Sequence, residues 1–250
     1  MTRKLTTNKE YRVYLLVTMG IVAGFIFSLG IGSVYVPPGE IAKMILNRLP
    51  LLAGKITRDW SATNEAIVLQ LRLPRVILAF MIGSQLSAAG VIYQGVFRNP
   101  MADPYIIGAS TGASLGASLG ILFFPALKVF GVGSTPLFAF LGSAGTVFLV
   151  YSLASIGGRT YSFTLLLSGV AVSSFMSAIV SFLMYFSDDK LRRIYFWMMG
   201  SFSSQGWNEI YINLPYALVG FLMAYWNLRY LNILQLGEET AFFTGVDTER

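Results

Sequence analysis

The chain has 250 residues, of which 55% are hydrophobic and 12% charged; ordinary soluble domains carry about 25% charge. Several apolar runs exceed the length of a membrane-spanning helix, so an ordinary water-soluble domain is excluded and the expected fold class is an all-α polytopic membrane protein solvated by lipid. The absence of cysteine and histidine excludes disulfides, Cys/His zinc sites, cysteine nucleophiles and histidine bases, and the net charge of +6 sits in loops, where anchoring accounts for it without nucleic acid.

The first apolar segment covers about 13–34. Arg3, Lys4, Lys9 and Arg12 precede it as in a signal peptide. The run is too long for a signal core and no small-x-small site closes it, so it reads as a retained spanning helix. Pro37, Pro38 and Gly39 end it, because proline lacks an amide donor and constrains the residue before it. Residues 40–52 read as a short amphipathic surface helix and 53–70 as a polar, mobile stretch. The second segment, 76–97, contains no charge; at about 1.5 Å per residue it reaches roughly 33 Å, enough to cross a bilayer core.

The turn from Arg98-Asn99-Pro100 to Asp103-Pro104 reads as a structural return, with Asp103 a candidate cap for the third segment, 105–124. There Gly108, Gly112, Gly116 and Gly120 recur every fourth residue, which puts all four on one helical stripe beside Ala109, Ala113 and Ala117. Small stripes let backbones approach, and van der Waals contact is the main glue in lipid. Glycine is a poor helix former in water, so this helix should be enclosed by others.

Residues 125–136 form a loop. The fourth segment, 137–156, ends at Gly157, Gly158 and Arg159; the fifth, 165–186, leads into a charged cluster at 188–193. Residues 194–208 are mixed, with Trp197 and Trp207 at interface-like positions. The sixth segment, 210–226, is interrupted by Pro215, and 227–250 turn polar, as at the start of a loop helix. With the N-terminus inside, Arg3, Lys4, Lys9, Arg12, Arg98, Arg159, Arg229 and Arg250 are the inner basic residues and the larger share lies outside. The positive-inside count therefore does not orient the chain, and the outer basic residues need another explanation.

Five stretches, in order, resemble one family: LRLPR (71–75), GSQLSAAGVIYQGVFRNPMADPYIIGASTGASLGA (83–117), LLLSGVAVSS (165–174), FWMMGSF (196–202) and LNILQLGEETAFFTGV (231–246). They are similar to the FecCD-type permeases of type II ABC importers, which carry ferric siderophores, haem, cobalamin and some oxyanions. The resemblance implies a ten-helix fold, of which about six helices fall here. It treats 1–250 as a single, incomplete transmembrane domain with a cytoplasmic coupling segment at 227–250. Family members look about a third longer, so the expectation is a fragment, or an incomplete protein, that does not transport alone.

The same resemblance implies a multi-pass protein of the cytoplasmic (inner) membrane. Two copies would form a pathway, with ATPase subunits inside and a periplasmic or lipid-anchored substrate-binding protein outside. The chain would not be an enzyme and would need no cofactor or metal. Arg72 and Arg75 would meet carboxylates of the binding protein, the competing reading being arginines that snorkel at a helix end. Leu236, Gly237, Glu238 and Glu239 would belong to the ATPase-coupling segment, Gly237 breaking one short helix and the glutamates opening the next, where acids suit the dipole. Capping chemistry alone explains the acids but not the string around them. Tyr161, Ser162 and Phe163 would lie near a cytoplasmic gate, or else form an ordinary turn; Phe163 departs from the small hydroxylated residues common there.

Absences narrow the function further. No G-x-x-x-x-G-K-[ST] run occurs, so ATP hydrolysis must come from another subunit. The apolar segments carry no ionisable group at mid-depth. That disfavours the alternative of an ATP-independent secondary carrier or channel, as the missing catalytic residues disfavour an intramembrane enzyme.

Overall fold

The structure, a computed structural model, describes residues 8–50, 52, 55–129, 131–156 and 159–235. Nine α-helices are found among them: α1 (Asn8–Gly30), α2 (Pro38–Leu46), α3 (Ala62–Ala66), α4 (Leu73–Phe97), α5 (Ala109–Phe123), α6 (Ser134–Ala154), α7 (Ser162–Tyr185), α8 (Leu191–Met199) and α9 (Trp207–Leu234). A π-helix (Ile67–Arg72) joins α3 to α4, and short 3-10 turns (Pro104–Ile107 and Asp188–Lys190) precede α5 and α8. Two antiparallel two-residue ladders are also found among the described residues: β1 (Lys128–Val129) with β2 (Val132–Gly133), and β3 (Ser155–Ile156) with β4 (Arg159–Thr160).

Among the described residues four helices are long and apolar enough to cross a membrane: Glu10–Gly30, Ala62–Phe97, Ser134–Ala154 and Ser162–Tyr185. The protein is therefore an all-α, multi-pass membrane protein. Of the other two expected spans, α5 is apolar but has 15 residues, about 22 Å of helix, and α9 is long but more polar. Along α1, Tyr14, Leu15, Leu16, Val17, Met19, Ile21 and Val22 are all exposed, as they must be on a helix whose outer faces meet lipid rather than water.

The chain divides into two compact units, and the division falls within α4 and within α9. The first unit holds residues 1–83 and 202–218. Its core is Leu29, Val36, Ile41, Met44, Val68 and Leu69, with Phe25, Trp60 and Val76 packed against it. Here the expectation for 53–70 is corrected, because 62–72 is helical. The polar letters that suggested mobility are capping and pairing groups. Ser61 caps α3 by accepting from the Asn64 amide at 3.0 Å, Glu65 accepts from Trp60 Nε1 at 3.0 Å and from Arg48 at 3.4 Å, and Asn64 donates to Glu40 at 3.3 Å. Nearby, Lys43 pairs with Asp59, and its hydrogen bond holds that exposed carboxyl below the usual range. Pro37 and Pro38, expected only as a stop, also start α2, with Pro38 at its first position.

The second unit holds residues 84–201 and 219–250. The antiparallel α5 and α6 form its centre, α7 packs on both, and Ile107, Val150 and Val172 make an apolar cluster with Tyr93, Phe97, Leu165 and Met176. Two expectations change. The 125–136 loop contains the β1–β2 hairpin and yields to helix at Ser134. Pro215 does not interrupt α9, which runs through it; a proline removes one internal bond, and a helix of 28 residues absorbs that loss.

Candidate functional site

The segment 67–75 in the first unit is built around a proline. The π-register makes the Leu73 amide donate to Val68 O, five residues back. In that register the Leu69 carbonyl awaits the amide of residue 74, which is Pro74 and has none. Trp207 Nε1 fills the gap, donating to Leu69 O at 3.0 Å. The arginines on either side of Pro74 are half-buried and bond to backbone carbonyls. Arg72 Nη1 donates to Leu29 O at 2.8 Å and Gly30 O at 3.1 Å, and Nη2 donates to Val34 O. Arg75 donates to Ser203 O and, from Nε at 3.4 Å, to Gln205 O. Arg72 thus ties the end of α1 and the residues after it to the π-helix, and Arg75 ties the loop before α9 to the start of α4.

In the second unit the turn after α4 uses one device twice. Asn99 Oδ1 accepts from the Met101 amide at 2.9 Å across Pro100, and Asp103 Oδ1 accepts from the Tyr105 amide at 2.8 Å across Pro104. Arg98 adopts φ 50° to leave the helix. Asp103 caps the 3-10 turn rather than α5, because Gly108, with φ 84°, breaks the helix between them. Gly108 therefore departs from the expected stripe: it is the joint before α5, and a methyl group there would also lie 2.9 Å from Ser173 Oγ.

Gly112, Gly116 and Gly120 face α6 at van der Waals range or closer. A Cβ on Gly112 would fall 2.2 Å from Thr146 Oγ1, on Gly116 2.0 Å from Phe138 O, and on Gly120 3.2 Å from Ser134 O. Two glycines outside the expected set make similar close approaches, Gly142 within the α5–α6 contact and Gly169 between α7 and the 3-10 turn. Gly142 meets Gly112 O at 2.3 Å, and Gly169 of α7 meets Ile106 O at 2.4 Å, both as distances from the Cβ each residue lacks. Small residues at 139, 142 and 146 were the sequence signal for the α6 side. Lys190 was also missed; its Nζ donates to Leu122 O at 2.7 Å, placing a cation on the C-terminal carbonyls of α5.

Tyr161 is the N-cap residue of α7 and Ser162 opens the helix. Tyr161, Ser162 and Phe163 are all exposed, Phe163 at 76%, and Thr164 Oγ1 donates to Tyr161 O at 3.2 Å to hold the turn. Leu236, Gly237, Glu238 and Glu239 lie outside the described residues. The last described turn before them, Leu231 to Gln235, runs beside Gly95 of α4. Among the described residues no group of three or more Asp or Glu side chains could hold a metal ion.

The model of the FecCD transport family matches residues 20–250. The chain is 36% identical over 232 residues to the cobalamin import system permease protein BtuC of Halobacterium salinarum, covering 86% of this chain and 61% of that protein. It is 38% identical over 199 residues to the hemin transport system permease protein HmuU of Yersinia pestis, covering 76% and 58%. It is 33% identical over 254 residues to the iron(3+)-hydroxamate import system permease protein FhuG of Bacillus subtilis, covering 99% and 72%. A solved structure described as an inward-facing metal-chelate type ABC transporter superposes with a TM-score of 0.72 at 31% identity, covering 94% of this chain and 68% of that one.

Proposed function

The chain belongs to the FecCD transport family, and from that membership we propose that it is a transmembrane permease subunit of an ABC importer. It would move an iron chelate (a siderophore complex or haem) or cobalamin across the cytoplasmic membrane while a separate ATPase subunit hydrolyses ATP. The observation that carries this reading is the family match from residue 20 to residue 250, joined to relatives named for import of cobalamin, hemin and iron(3+)-hydroxamate.

The chain would contribute six crossings of a ten-helix fold, pair with a second copy, and receive substrate from a binding protein on the outer side. Arg72 and Arg75 would form the basic part of that docking surface. Residues 236–239 would sit in a groove of the ATPase, and Tyr161, Ser162 and Phe163 would line the inner gate. The glycine contact between α5 and α6 supports a rigid block against which other helices could rock. An apolar, uncharged lining suits a large chelate that must pass without sticking.

The test uses the ten-helix permease that this reading calls for: co-purification of the tagged protein with the ATPase encoded beside it, followed by uptake of labelled ferric siderophore, haem and cobalamin into vesicles. ATP-dependent uptake of one of them, with the ATPase bound, is the expected result. A chain that brings down no ATPase and moves its substrate without ATP would establish a secondary carrier instead.

A further inference from the structure

We propose that the exposed corner where α7 turns into α8 is a contact site for the substrate, and that it favours an anionic, aromatic iron chelate (a metalloporphyrin dicarboxylate or a ferric catecholate) over a neutral hydroxamate or cobalamin. The proposal rests on the permease reading above and narrows the substrate class that reading leaves open.

Six aromatic residues fall between Phe182 and Trp197, and all of them are exposed. Phe182, Tyr185 and Phe186 share one face at the end of α7; ring centroids lie 4.7 Å apart for Phe182 and Phe186 and 5.0 Å apart for Tyr185 and Phe186. Tyr195, Phe196 and Trp197 follow on α8, which buries Ile194 alone. The corner between the two groups is fastened. The Ser187 hydroxyl donates to Met184 O at 2.8 Å, the Lys190 amide to Ser187 O at 2.8 Å, and Lys190 Nζ to Leu122 O at 2.7 Å. An ordered frame of this kind lowers the entropic cost of binding.

The charge on α8 has one sign. The helix carries Arg192 and Arg193 and no acid, while Asp188 and Asp189 lie on the 3-10 turn before it. Both arginines are exposed, and neither makes a hydrogen bond or ion pair among the described residues. They stand at the start of the helix, where a cation opposes the dipole, so α8 gains nothing from them there. Helical spacing aligns Arg192 with Phe196 and Met199, and Arg193 with Trp197. Each guanidinium therefore shares a stripe with an exposed ring. A flat ring system stacks on such rings while its carboxylates or phenolates take the arginine forks. An interfacial belt accounts for Tyr and Trp, whose polar tips sit among headgroups; it does not account for Phe182, Phe186 and Phe196 beside two guanidiniums without partners. With the N-terminus inside, α7 ends on the outer side, where the permease reading has substrate arrive.

Binding is measured on this chain in nanodiscs with hemin, a ferric tris-catecholate, a ferric tris-hydroxamate and cobalamin. Hemin or the catecholate should bind about tenfold more tightly than the other two, and the tighter of the pair names the source. Arg192→Gln with Arg193→Gln should weaken that binding by about tenfold and flatten its salt dependence. Phe196→Leu with Trp197→Leu keeps apolar surface and removes the rings; it should weaken binding by about fivefold with the salt dependence retained. Arg229→Gln is the control, because that arginine lies among Tyr225, Trp226 and Tyr230 on α9. An equal loss there would reduce the effect to nonspecific attraction and overturn the proposal. Equal affinity for all four probes, or for none, would do the same. If the double glutamine variant keeps its chelate affinity but captures less phosphatidylglycerol from mixed lipid, the corner is a lipid contact and the proposal fails. ATP-driven uptake of only hydroxamate or cobalamin by the ten-helix permease would sink the site and leave the permease reading. Chelate binding here, with no ATP-driven uptake by that permease, would sink the reading and leave the site.

Discussion

The indole N–H of Trp207 occupies the place of the amide that Pro74 lacks, donating at 3.0 Å to the carbonyl of Leu69. The two residues are far apart in the chain, yet one completes the hydrogen bonding of the other's helix. Trp207→Phe keeps the ring and removes the donor, so it should cost about 1–3 kcal/mol, the range for an unsatisfied buried acceptor. Thermal unfolding in detergent measures it. Adding Pro74→Ala restores a backbone donor in the same register and should recover part of the loss; no recovery would mean that the indole acts by packing alone.

The α5–α6 contact tolerates no side chain at its centre. Gly116→Ala sets a methyl group 2.0 Å from Phe138 O, backbone that cannot swing aside. The helices must separate, at a cost of about 1–3 kcal/mol or more. Gly145→Ala, on the same α6 but with nothing within 4 Å, should be neutral or stabilise by up to about 1 kcal/mol through helix propensity. The pair is compared by melting of the purified protein. Equal losses at both positions would show that helix separation is not the cause.

Lys190→Met should destabilise by about 1–2 kcal/mol, because the α5 C-terminus loses its charge-assisted bond to Leu122 O. Lys190→Arg should retain most of the stability. A methionine variant that melts with the parent would mean that water serves the carbonyl equally well.

Phe163 offers a test of the gate. At 76% exposure, Phe163→Ala should change stability by less than about 0.5 kcal/mol. If the residue lines an inner gate, the same variant should raise uncoupled ATPase activity or substrate leak in the assembled transporter. Transport indistinguishable from the parent would leave 161–163 an ordinary helix-start turn.

Much of the fold was legible before the coordinates. Long runs without charge mark α1, α4, α6 and α7, because hydrogen-bonded helix is the form a single apolar run can take in lipid. The errors fall where a residue's partner is distant in sequence. Residues 53–70 looked mobile because Ser61, Asn64 and Glu65 read as solvent-facing polar letters, whereas they cap and pair with Glu40, Arg48 and Trp60. Gly108 fitted the four-residue spacing by position yet left the helix, since spacing does not report φ. The site residues were readable as candidates in loops and turns, but their neighbours were not.

By itself the sequence determined that this chain crosses a membrane and that one helix carries a stripe of small residues, because hydropathy and spacing are properties of residue order. Only the tertiary structure decided what meets that stripe and what the arginines hold. Periodicity says which side chains share a face; it does not say that Gly142 lies against Gly112, or that the corner after α1 closes on Arg72. Those pairings depend on how separate helices pack, and in lipid that packing is chosen by close backbone fit and satisfied polar groups.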